Sequence, residues 1–575
     1  MYNTKINYTK RLDLIYPYEN LENFTLGSLL DRSHKLYSTE PALSKIGQVP
    51  MSYGELYTKV QDMVQLLKEN GISKGDKVLL LSENMPNWIV AYFSVTYFGG
   101  VIVPVLPDFH TSDVHHILRH SEAKAVFVSS KHQATIEEYE GLNIKFAINL
   151  DKLNIINELS KTTHISQIKQ KTKEIKEVLL HKEEDSKPKE DDLAAIIYTS
   201  GTTGHSKGVM LSHENLVTNT LSSYSKIEIT PQDRFLSILP LAHTFECTAG
   251  MLVAILHGAS VYYIDKSPTP NVLLKAFDIV KPTMILSVPL IIEKIYKNKI
   301  LPKFNSSFII KFLYKISFFR KIFNKLAGKK LLDTFGGELK FFGIGGAPLS
   351  AYVEQFLLEA DFPYIVGYGL TETAPFISGG IAGETQVIKS AGTLFPGVEI
   401  KIKNKNQQTE EGEICIKSPS VMLGYYKDEE KTAEVMEDGW FLTGDLGYIN
   451  EDGYLFISGR IKNVIIGSGG ENIYPEQIEA VINKNEAVSD SLVMEQDGRL
   501  VARIHLDYEF IDKKFNPDNT ADSKVKDAID KLLEEMRQDV NSQVSSYSKI
   551  VKFIEQVEPF VKTPTKKIKR YLYIN

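Results

Sequence analysis

The chain has 575 residues, which is too long for one ordinary hydrophobic core and suggests two to four domains or subdomains. Its 43% hydrophobic and 24% charged residues are typical of a soluble globular protein. A net charge of −6, from 66 basic and 72 acidic residues, gives no support for general nucleic-acid binding. The two cysteines, Cys247 and Cys415, exclude a disulfide framework and fit a reducing compartment.

The N-terminal sequence lacks the basic-then-apolar order of a signal peptide. No apolar run reaches the roughly 18 residues that a membrane-spanning helix needs. We therefore expect a cytoplasmic protein, with peripheral contact at the inner face of the membrane left open. The sequence does not decide between a monomer and a homodimer.

Strand-like and helix-like segments alternate along the first part of the chain. "KVLLLS" is followed by "MPNWIVAYFSVTYFGG" and then by "VIVPVLP", which predicts an α/β architecture with a largely buried sheet. Residues 151–192 are charged and predict an exposed connector or surface helix, and "LAAIIYTS" after them predicts a central strand. After Arg460, short helices and strands predict a small α+β domain of about 110 residues.

Two histidines, His116 and His120, stand four residues apart and could suggest a metal site. No HExxH glutamate or third ligand accompanies them. We interpret them as part of a helix surface.

The segment 297–330 is the most basic in the chain, with ten Lys or Arg and no Asp or Glu. Its apolar residues recur at helical spacing, namely Phe312, Ile316, Phe319, Phe323 and Leu326. The pattern predicts a basic amphipathic helix, which would suit an anionic lipid surface. A helix packed on the core with solvated lysines is the alternative.

The stretch "YTSGTTGHSKGVM", from Tyr198 to Met210, combines glycines, hydroxyls and the single Lys207 between apolar flanks. Such a loop can turn backbone N–H groups and hydroxyls toward phosphate oxygens, with the lysine as countercharge. It is not a Walker A loop, because Ser206 precedes the lysine and Gly208 follows it. A second apolar segment, "GVMLSH", comes before the next helical pattern.

Six motifs in order along the chain resemble the adenylate-forming (AMP-binding) superfamily. They are "YTSGTTGHSKG", "FGIGGAPL", "GYGLTET", "GWFLTGDLG", "GRIKNVIIGSGGENIYP" and "TPTKKIKR". Ser206 replaces the proline usual at its position, which removes a rigid turn residue but no donor. The long basic insertion and the spacing to "GGAPL" are most similar to bacterial long-chain fatty acyl-CoA synthetases.

The resemblance implies an α/β fold with a large N-terminal adenylate-forming domain of stacked α/β sheets and a distorted β-barrel. A small, mobile α+β C-terminal domain would follow. The expected bounds are residues 1–458 for the large domain, 459–463 for the hinge and 464–575 for the small domain.

The resemblance also implies ATP, Mg²⁺ and CoA as cofactors or co-substrates. Phosphate binding would involve Lys207 and the loop residues Thr199, Ser200, Gly201, Thr202, Thr203 and Gly204. The adenine pocket would be formed by Gly346, Ala347, Pro348, Gly367, Tyr368 and Gly369, with Tyr368 stacked on the base. Thr371 would contact the phosphates, Glu372 would bind Mg²⁺, and Asp445 and Arg460 would contact the ribose.

Three further implied roles belong to the C-terminal part of the chain. Lys567 would promote adenylation, Lys462 would be the hinge, and Gly469, Gly470 and Glu471 would line the CoA channel. A plain surface charge is the alternative for Lys462.

His243, in "LPLAHTFECTAG", would border the acyl channel, or it could simply cap a helix. The expected function is ATP- and Mg²⁺-dependent activation of a long-chain fatty acid to acyl-AMP, followed by transfer to CoA. Three alternatives remain: an acyl–acyl carrier protein synthetase, a fatty acid–AMP ligase and a non-catalytic acyl- or nucleotide-binding protein. Intact Lys207, Glu372, Asp445 and Lys567 argue against the last.

Overall fold

The computed structural model describes residues 21–141, 143–156, 187–199, 206–266, 268–467, 471–515, 522–563 and 567–574. Most of the predicted connector, residues 157–186, therefore lies outside the described residues. Within the described ranges, no helix combines the length and the hydropathy needed to cross a bilayer.

The strands of the first half of the chain are β1 (Pro41–Lys45), β2 (Met51–Ser52), β3 (Lys77–Leu81), β4 (Val101–Val105), β5 (Ala125–Val128), β6 (Phe146–Asn149), β7 (Asn154–Ile155), β8 (Leu193–Thr199), β9 (Lys207–Ser212), β10 (Arg234–Ser237), β11 (Ser260–Tyr263) and β12 (Met284–Ser287). Those of the second half are β13 (Phe341–Ile344), β14 (Tyr364–Gly369), β15 (Phe376–Gly379), β16 (Thr393–Leu394), β17 (Glu399–Lys403), β18 (Gly412–Lys417), β19 (Gly424–Tyr425), β20 (Met436–Glu437), β21 (Trp440–Ile449), β22 (Leu455–Arg460), β23 (Ile465–Ile466), β24 (Asn472–Ile473), β25 (Val488–Gln496), β26 (Arg499–Leu506) and β27 (Lys552–Glu555).

The α-helices are α1 (Leu26–Tyr37), α2 (Tyr53–Glu69), α3 (Pro86–Tyr97), α4 (Thr111–Ser121), α5 (Gln133–Glu137), α6 (His213–Ser222), α7 (Val253–His257), α8 (Pro270–Val280), α9 (Pro289–Ile295), α10 (Leu301–Phe304), α11 (Phe308–Tyr314), α12 (Ser317–Thr334), α13 (Ala351–Glu359), α14 (Glu429–Val435), α15 (Pro475–Ile482), α16 (Tyr508–Phe515) and α17 (Asp522–Gln543). Two π-helical segments, Glu246–Leu252 and Tyr296–Ile300, lead into α7 and α10.

Two large sheets form the body of the fold. The first has nine strands in the order β16–β15–β14–β13–β12–β10–β11–β1–β2, and the second has eight in the order β19–β9–β8–β4–β3–β5–β6–β7. Their central pairs are parallel, whereas β8 and β9 are antiparallel. The predicted α/β class is therefore confirmed. A third sheet has five strands, β17–β18–β21–β20 with β22 beside β21, and the distorted β-barrel stays a prediction.

Helix α3 shows why the two large sheets form layers around a common core. It begins with Pro86 at its first turn, where the missing N–H costs no hydrogen bond. Trp88, Tyr92 and Phe93 are fully buried in one cluster with residues of both sheets. A helix that is apolar on all sides has to be enclosed, as this one is.

The described residues divide into two compact units. The larger contains the residues up to Glu399 together with Ile416–Phe441, and the smaller contains Ile400–Cys415 and the residues from Leu442 onward. In the smaller unit, β25, β26 and β27 form a three-stranded sheet that shares a core with α15 and α17. The expected bounds at residues 458 and 464, and the mobility of the C-terminal domain, stay predictions.

The basic segment 297–330 differs from its prediction. It is not one amphipathic helix, because α11 ends at Tyr314 and α12 begins at Ser317. Phe323, predicted on the same apolar face as Leu326, packs on a core cluster, whereas Leu326 is exposed. Reading the segment as a single helix missed this break and the resulting change of face.

Candidate active site

The loop predicted to bind phosphate closes a β-hairpin in the eight-stranded sheet. Strand β8 ends at Thr199, β9 begins at Lys207, and these two residues are antiparallel partners. A strand therefore follows the lysine, whereas a helix follows the Walker A lysine. The residues Ser200, Gly201, Thr202, Thr203 and Gly204 lie outside the described residues, so their phosphate contacts stay predictions.

Lys207 and Glu372 are joined by a tyrosine that the sequence did not single out. The Nζ atom of Lys207 lies 4.9 Å from the ring centroid of Tyr425. The Tyr425 hydroxyl donates a hydrogen bond of 2.9 Å to Oε1 of Glu372. The ring attracts the ammonium through its quadrupole, while the hydroxyl orients the carboxylate. The predicted phosphate lysine and the predicted metal carboxylate thus belong to one site.

The turn that carries Thr371 and Glu372 is held by backbone and amide hydrogen bonds. It is a single 3₁₀ turn directly after β14, and the Glu372 carbonyl accepts from Met422 N–H at 2.8 Å. Asn219 of α6 donates to the Thr373 carbonyl at 3.2 Å. Because α6 follows β9, the strand that begins at Lys207 and the turn that carries Glu372 are held to the same helix.

The residues predicted to hold adenine lie at the carboxyl ends of two neighbouring strands. Strands β13 and β14 are parallel, with Ile344 opposite Val366. The exposed Gly346, Ala347 and Pro348 follow β13, while Gly367, Tyr368 and Gly369 end β14. Carboxyl ends of parallel strands are where α/β sheets bind ligands.

Two of these glycines are required by the backbone. Gly346 has a φ of +85°, a conformation that L-residues with side chains rarely adopt. A Cβ atom on Gly369 would lie 1.8 Å from the Pro375 carbonyl oxygen. A larger residue at position 369 would therefore force apart the turn that bears Glu372.

His243 follows β10 and caps the helical segment after it. Its Nδ1 atom accepts from Phe245 N–H at 3.2 Å, and the ring is half-buried. The helix-capping alternative is therefore present in the structure. The hydrogen bond involves only Nδ1, and the two ring nitrogens of a histidine can serve different roles. The place of His243 beside the acyl group stays a prediction.

Asn84 holds the turn that precedes His243 and is a second residue that the sequence analysis missed. Its Nδ2 atom donates to the Leu239 carbonyl at 2.6 Å, and its Oδ1 atom accepts from Leu241 N–H at 2.9 Å. Nδ2 also lies 3.0 Å from the Ser237 hydroxyl. Asn84 follows β3 of the eight-stranded sheet, and the turn that it binds follows β10 of the nine-stranded sheet. One side-chain amide therefore connects the two sheets.

Glu246 is a buried carboxyl immediately after this turn. It is 1% exposed, and Oε2 has no hydrogen-bond partner among the described residues. Burial raises the pKa of Glu246 to about 8, an effect that a hydrogen bond with Ser237 partly offsets. The carboxyl is therefore mostly protonated at neutral pH.

The histidine pair on α4 is connected to the strand that leads into the phosphate loop. His120 Nδ1 lies 2.7 Å from the hydroxyl of Tyr198, which is buried. Burial, followed by the charge of His116, lowers the pKa of His120. Among the described residues, no three His, Cys, Asp or Glu side chains cluster as a metal site would require. The interpretation as helix surface missed the contact with Tyr198.

The residues predicted to hold ribose are partners in the smaller unit. Asp445 of β21 and Arg460 of β22 are opposite each other in an antiparallel pair. Arg460 Nε lies 3.0 Å from Oδ1 of Asp445, which is 4% exposed in its side chain. The Thr443 hydroxyl accepts from Asp445 N–H at 3.1 Å. The carboxylate is thus fixed at the end of a hairpin.

The predicted hinge and CoA channel follow directly. Lys462 is exposed in a single turn, Ile461–Asn463, that begins after Arg460. Strands β23 and β24 then form a hairpin, in which the Glu471 carbonyl accepts from Gly467 N–H at 2.8 Å. Gly469 and Gly470 lie outside the described residues. The hinge and channel roles stay predictions.

Lys567 is carried on a tight turn near the end of the chain. Its N–H donates to the Thr563 hydroxyl at 3.1 Å, and its carbonyl accepts from Thr563 N–H at 2.8 Å. Arg570 anchors the segment through Glu479, with Nη1 at 2.8 Å from Oε1. Lys562 pairs with Asp490 at 2.7 Å on the other arm of the turn.

Known proteins of one family are similar to this chain. The profile of the family described as "AMP-binding enzyme" matches residues 30–426. A peroxisomal long chain acyl-CoA synthetase 7 of Arabidopsis thaliana is 29% identical, covering 90% of this chain and 79% of its own. Fatty acyl-CoA synthetase B of Dictyostelium discoideum is 30% identical, covering 79% and 71%. A long-chain-fatty-acid–CoA ligase of Bacillus subtilis is 28% identical, covering 82% and 83%.

Solved structures share the fold. An ATP-bound RpMatB–BxBclM chimera, B1, aligns with a TM-score of 0.74 at 23% identity, covering 96% of this chain and 98% of its own. O-succinylbenzoate CoA synthetase of Bacillus subtilis, in complex with ATP and magnesium, aligns with a TM-score of 0.72 at 23% identity, covering 94% and 98%. Together with the family match over most of the chain, these results show that the protein belongs to the AMP-binding enzyme family.

Proposed function

We propose that the protein is an acid–thiol ligase that activates a long-chain fatty acid with ATP and then transfers the acyl group to CoA. The products are acyl-CoA, AMP and pyrophosphate. The observation that carries the proposal is the Lys207–Tyr425–Glu372 group beside the carboxyl ends of β13 and β14. Relatives named as fatty acyl-CoA synthetases support the substrate class.

In the first step, a carboxylate oxygen of the acid attacks the α-phosphorus of ATP and pyrophosphate leaves. Both partners are anionic, so the site has to cancel charge and fix geometry. Lys207 and the loop from Thr199 to Gly204 hold the outer phosphates, and Thr371 contacts the phosphates. Lys567 offsets the negative charge where acid and α-phosphate meet.

Glu372 fits a magnesium ion. Its carboxylate is half-buried, lies at the lysine-bearing site and accepts a hydrogen bond from Tyr425, which leaves further oxygen lone pairs for a cation. Hard carboxylate oxygens are the ligands that Mg²⁺ prefers beside phosphates. When bound, the ion neutralises part of the triphosphate charge.

The nucleoside is held by two sets of residues. Tyr368 stacks on adenine, between the turn Gly346–Pro348 and Gly369. Asp445 accepts hydrogen bonds from the ribose hydroxyls, and Arg460 orients the carboxylate and also contacts the ribose.

In the second step, the sulfur of CoA attacks the acyl carbonyl, its proton is released, and AMP leaves. Lys567 has to withdraw before the thiol can approach. Rotation at Lys462 removes this lysine and presents Gly469, Gly470 and Glu471 as the channel wall.

His243 lies beside the acyl group, on a turn that Asn84 positions. Asn84 is a positioning residue, because it contacts the backbone of the turn. The proposed location is the cytoplasm, with peripheral contact at the inner face of the membrane.

The test measures the two steps separately. We expect pyrophosphate release that depends on fatty acid without CoA, and faster AMP turnover when CoA is added. Thioester formation across acids of increasing length defines the substrate range. Stimulation by acyl carrier protein but not by CoA would instead support the carrier-protein alternative, and no thiol dependence would support a fatty acid–AMP ligase.

A further inference from the structure

The helices α11 and α12 present a row of large apolar side chains to solvent. Phe308 is 85% exposed, Phe318 is 68% exposed and Leu326 is 64% exposed. Ile309, Phe312, Ile316 and Ile322 are also more than a third exposed. Large apolar side chains exposed on two consecutive helices are typical of a surface that another body covers. We refer to these seven residues as the apolar row.

The members of the apolar row on α12, namely Phe318, Ile322 and Leu326, lie opposite the face of α12 that packs on the protein. Arg320 of the inner face makes a bidentate ion pair with Glu359, with Nε–Oε2 and Nη2–Oε1 distances of 3.0 and 2.7 Å. The buried Asn324 donates to the same carboxylate at 2.8 Å. A Cβ atom on Gly328 would lie 2.5 Å from the Ala360 carbonyl oxygen, so the two backbones are in close contact.

Helical geometry places Phe318, Ile322 and Leu326 about 160–200° around the axis from Arg320, Asn324 and Gly328. The inner face of α12 is therefore packed on this chain, and the three outer side chains point away from that contact. Because α12 is already packed on the protein, binding a partner costs little conformational entropy in ordering this helix.

Lysines border the apolar row. On α12, Lys321 and Lys325 lie along one side of the row and Lys330 along the other. The segment 297–330 contains ten Lys or Arg and no Asp or Glu. A symmetric contact between two copies would bring these like charges together. An anionic lipid surface accepts both the side chains of the row and the surrounding lysines.

We propose that the outer face of α11 and α12 docks the protein on an anionic lipid bilayer, with the apolar row inserted at the headgroup–acyl boundary. Lipid binding itself does not depend on the proposed function. The benefit of lipid binding to the enzyme does rest on that function, because long-chain acids partition into the bilayer to which the protein would bind.

The experiment is cosedimentation of the full chain with phosphatidylcholine vesicles and with vesicles that contain one quarter phosphatidylglycerol. We expect binding to the anionic vesicles that weakens with salt. Phe312→Asp/Phe318→Asp should lower the binding constant about tenfold or more, because two inserted rings are replaced by charges. Lys321→Gln/Lys330→Gln should reduce the preference for anionic vesicles.

Val49→Asp is the matched control, because Val49 is an exposed apolar residue on the turn between β1 and β2. It should bind like the unaltered protein, and melting temperatures should establish that all variants fold. The proposal is overturned if the unaltered protein ignores anionic vesicles, or if Phe312→Asp/Phe318→Asp binds them equally well. It is also overturned if those substitutions dissociate a dimer in solution, since the row then covers a second copy.

The same samples separate this proposal from the proposed function. Pyrophosphate release with a water-soluble short-chain acid, without vesicles, should be equal in the unaltered protein and in Phe312→Asp/Phe318→Asp. Vesicle binding without acid-dependent pyrophosphate release from any acid would contradict the proposed function and leave the docking surface supported.

Discussion

The two lysines proposed to act in adenylation are held in different ways. Lys207 opens a strand of an eight-stranded sheet, lies against a buried tyrosine and is paired across the hairpin with Thr199. Lys567 is on a short turn of the smaller unit, attached through Thr563 and the Arg570–Glu479 pair. The first arrangement suits a charge needed whenever phosphate is bound. The second suits a charge needed in one step and moved aside in the next.

The largest expected effect separates the two lysines by reaction step. Lys567→Ala should lower acid-dependent pyrophosphate release about 100-fold or more, because a charge contact is lost in the transition state. It should still convert supplied acyl-adenylate and CoA to thioester. Single-turnover assays of each half-reaction measure this. Equal loss in both steps, in a variant that melts normally, would contradict the difference between the two lysines.

The anchor of the Lys567 turn should have a smaller, similarly selective effect. Arg570→Ala removes the ion pair with Glu479 and should slow adenylation about tenfold, since a looser support misplaces the lysine. Thioester formation from supplied acyl-adenylate should change little. Lys569→Ala is the neighbouring control and should leave both rates near those of the unaltered protein. If Lys569→Ala also slows adenylation, the effect belongs to this segment in general and not to the Arg570–Glu479 ion pair.

On the Lys207 side, Tyr425→Phe keeps the ring beneath the lysine and removes the hydroxyl that orients Glu372. The Mg²⁺ concentration for half-maximal pyrophosphate release should rise about tenfold, as is usual when a partner of a metal ligand is lost. Tyr426→Phe, one residue away, is the control. An unchanged magnesium dependence in Tyr425→Phe would contradict the proposal that Tyr425 orients Glu372 for magnesium binding.

Asn84→Ala should affect the acid more than the nucleotide. Without the amide, the Leu239–Leu241 turn before His243 loosens, and we expect KM for the fatty acid to rise about threefold to tenfold. KM for ATP should stay within a factor of about two. Asn87→Ala, which instead loses a hydrogen bond to the Leu150 carbonyl, is the control. Parallel increases in both constants would contradict a positioning role for Asn84.

The last expected effect is on stability rather than on activity, and it depends on pH. The folded-state pKa of Glu246, about 8, lies above its ordinary value of 4.5, so unfolding releases its proton between these values. The contribution of Glu246 to stability therefore falls as pH rises through that window, by at most about 1.4 kcal/mol per pH unit.

Glu246→Gln removes this titration. The melting temperature of the variant, minus that of the unaltered protein, should increase by several degrees between pH 5 and pH 9. Glu228→Gln, at an exposed position, should show no such trend. A difference that is constant with pH would show that Glu246 ionises normally.

Local pattern predicted much of the fold, whereas the candidate site residues came from the resemblance of six motifs to a known family. Alternating apolar segments predicted the α/β class, and the apolar segment after Lys207 agrees with β9. Tyr425 was missed because its role depends on β19 pairing with β9, a contact between positions more than 200 residues apart. Asn84 was missed for the same reason, since a lone asparagine after a strand does not show which turn it will clasp.

The basic segment shows another limit of local pattern. Its helical periodicity was visible, but the break between Tyr314 and Ser317 shifts the phase of the later turns. Glu359 pairs with Arg320 and accepts a hydrogen bond from the buried Asn324, and these contacts hold one face of α12 against the protein. No periodicity within 297–330 contains that information.

The clasp made by Asn84 has a consequence for engineering the acyl specificity of this protein. One side chain ties the two sheets together and also shapes the turn nearest the proposed acyl group. Libraries that randomise position 84 would therefore mix altered selectivity with lost folding. Keeping Asn84 and varying His243 confines the change to the proposed acyl wall, so that each variant reports on acyl chain length rather than on the amount of folded protein.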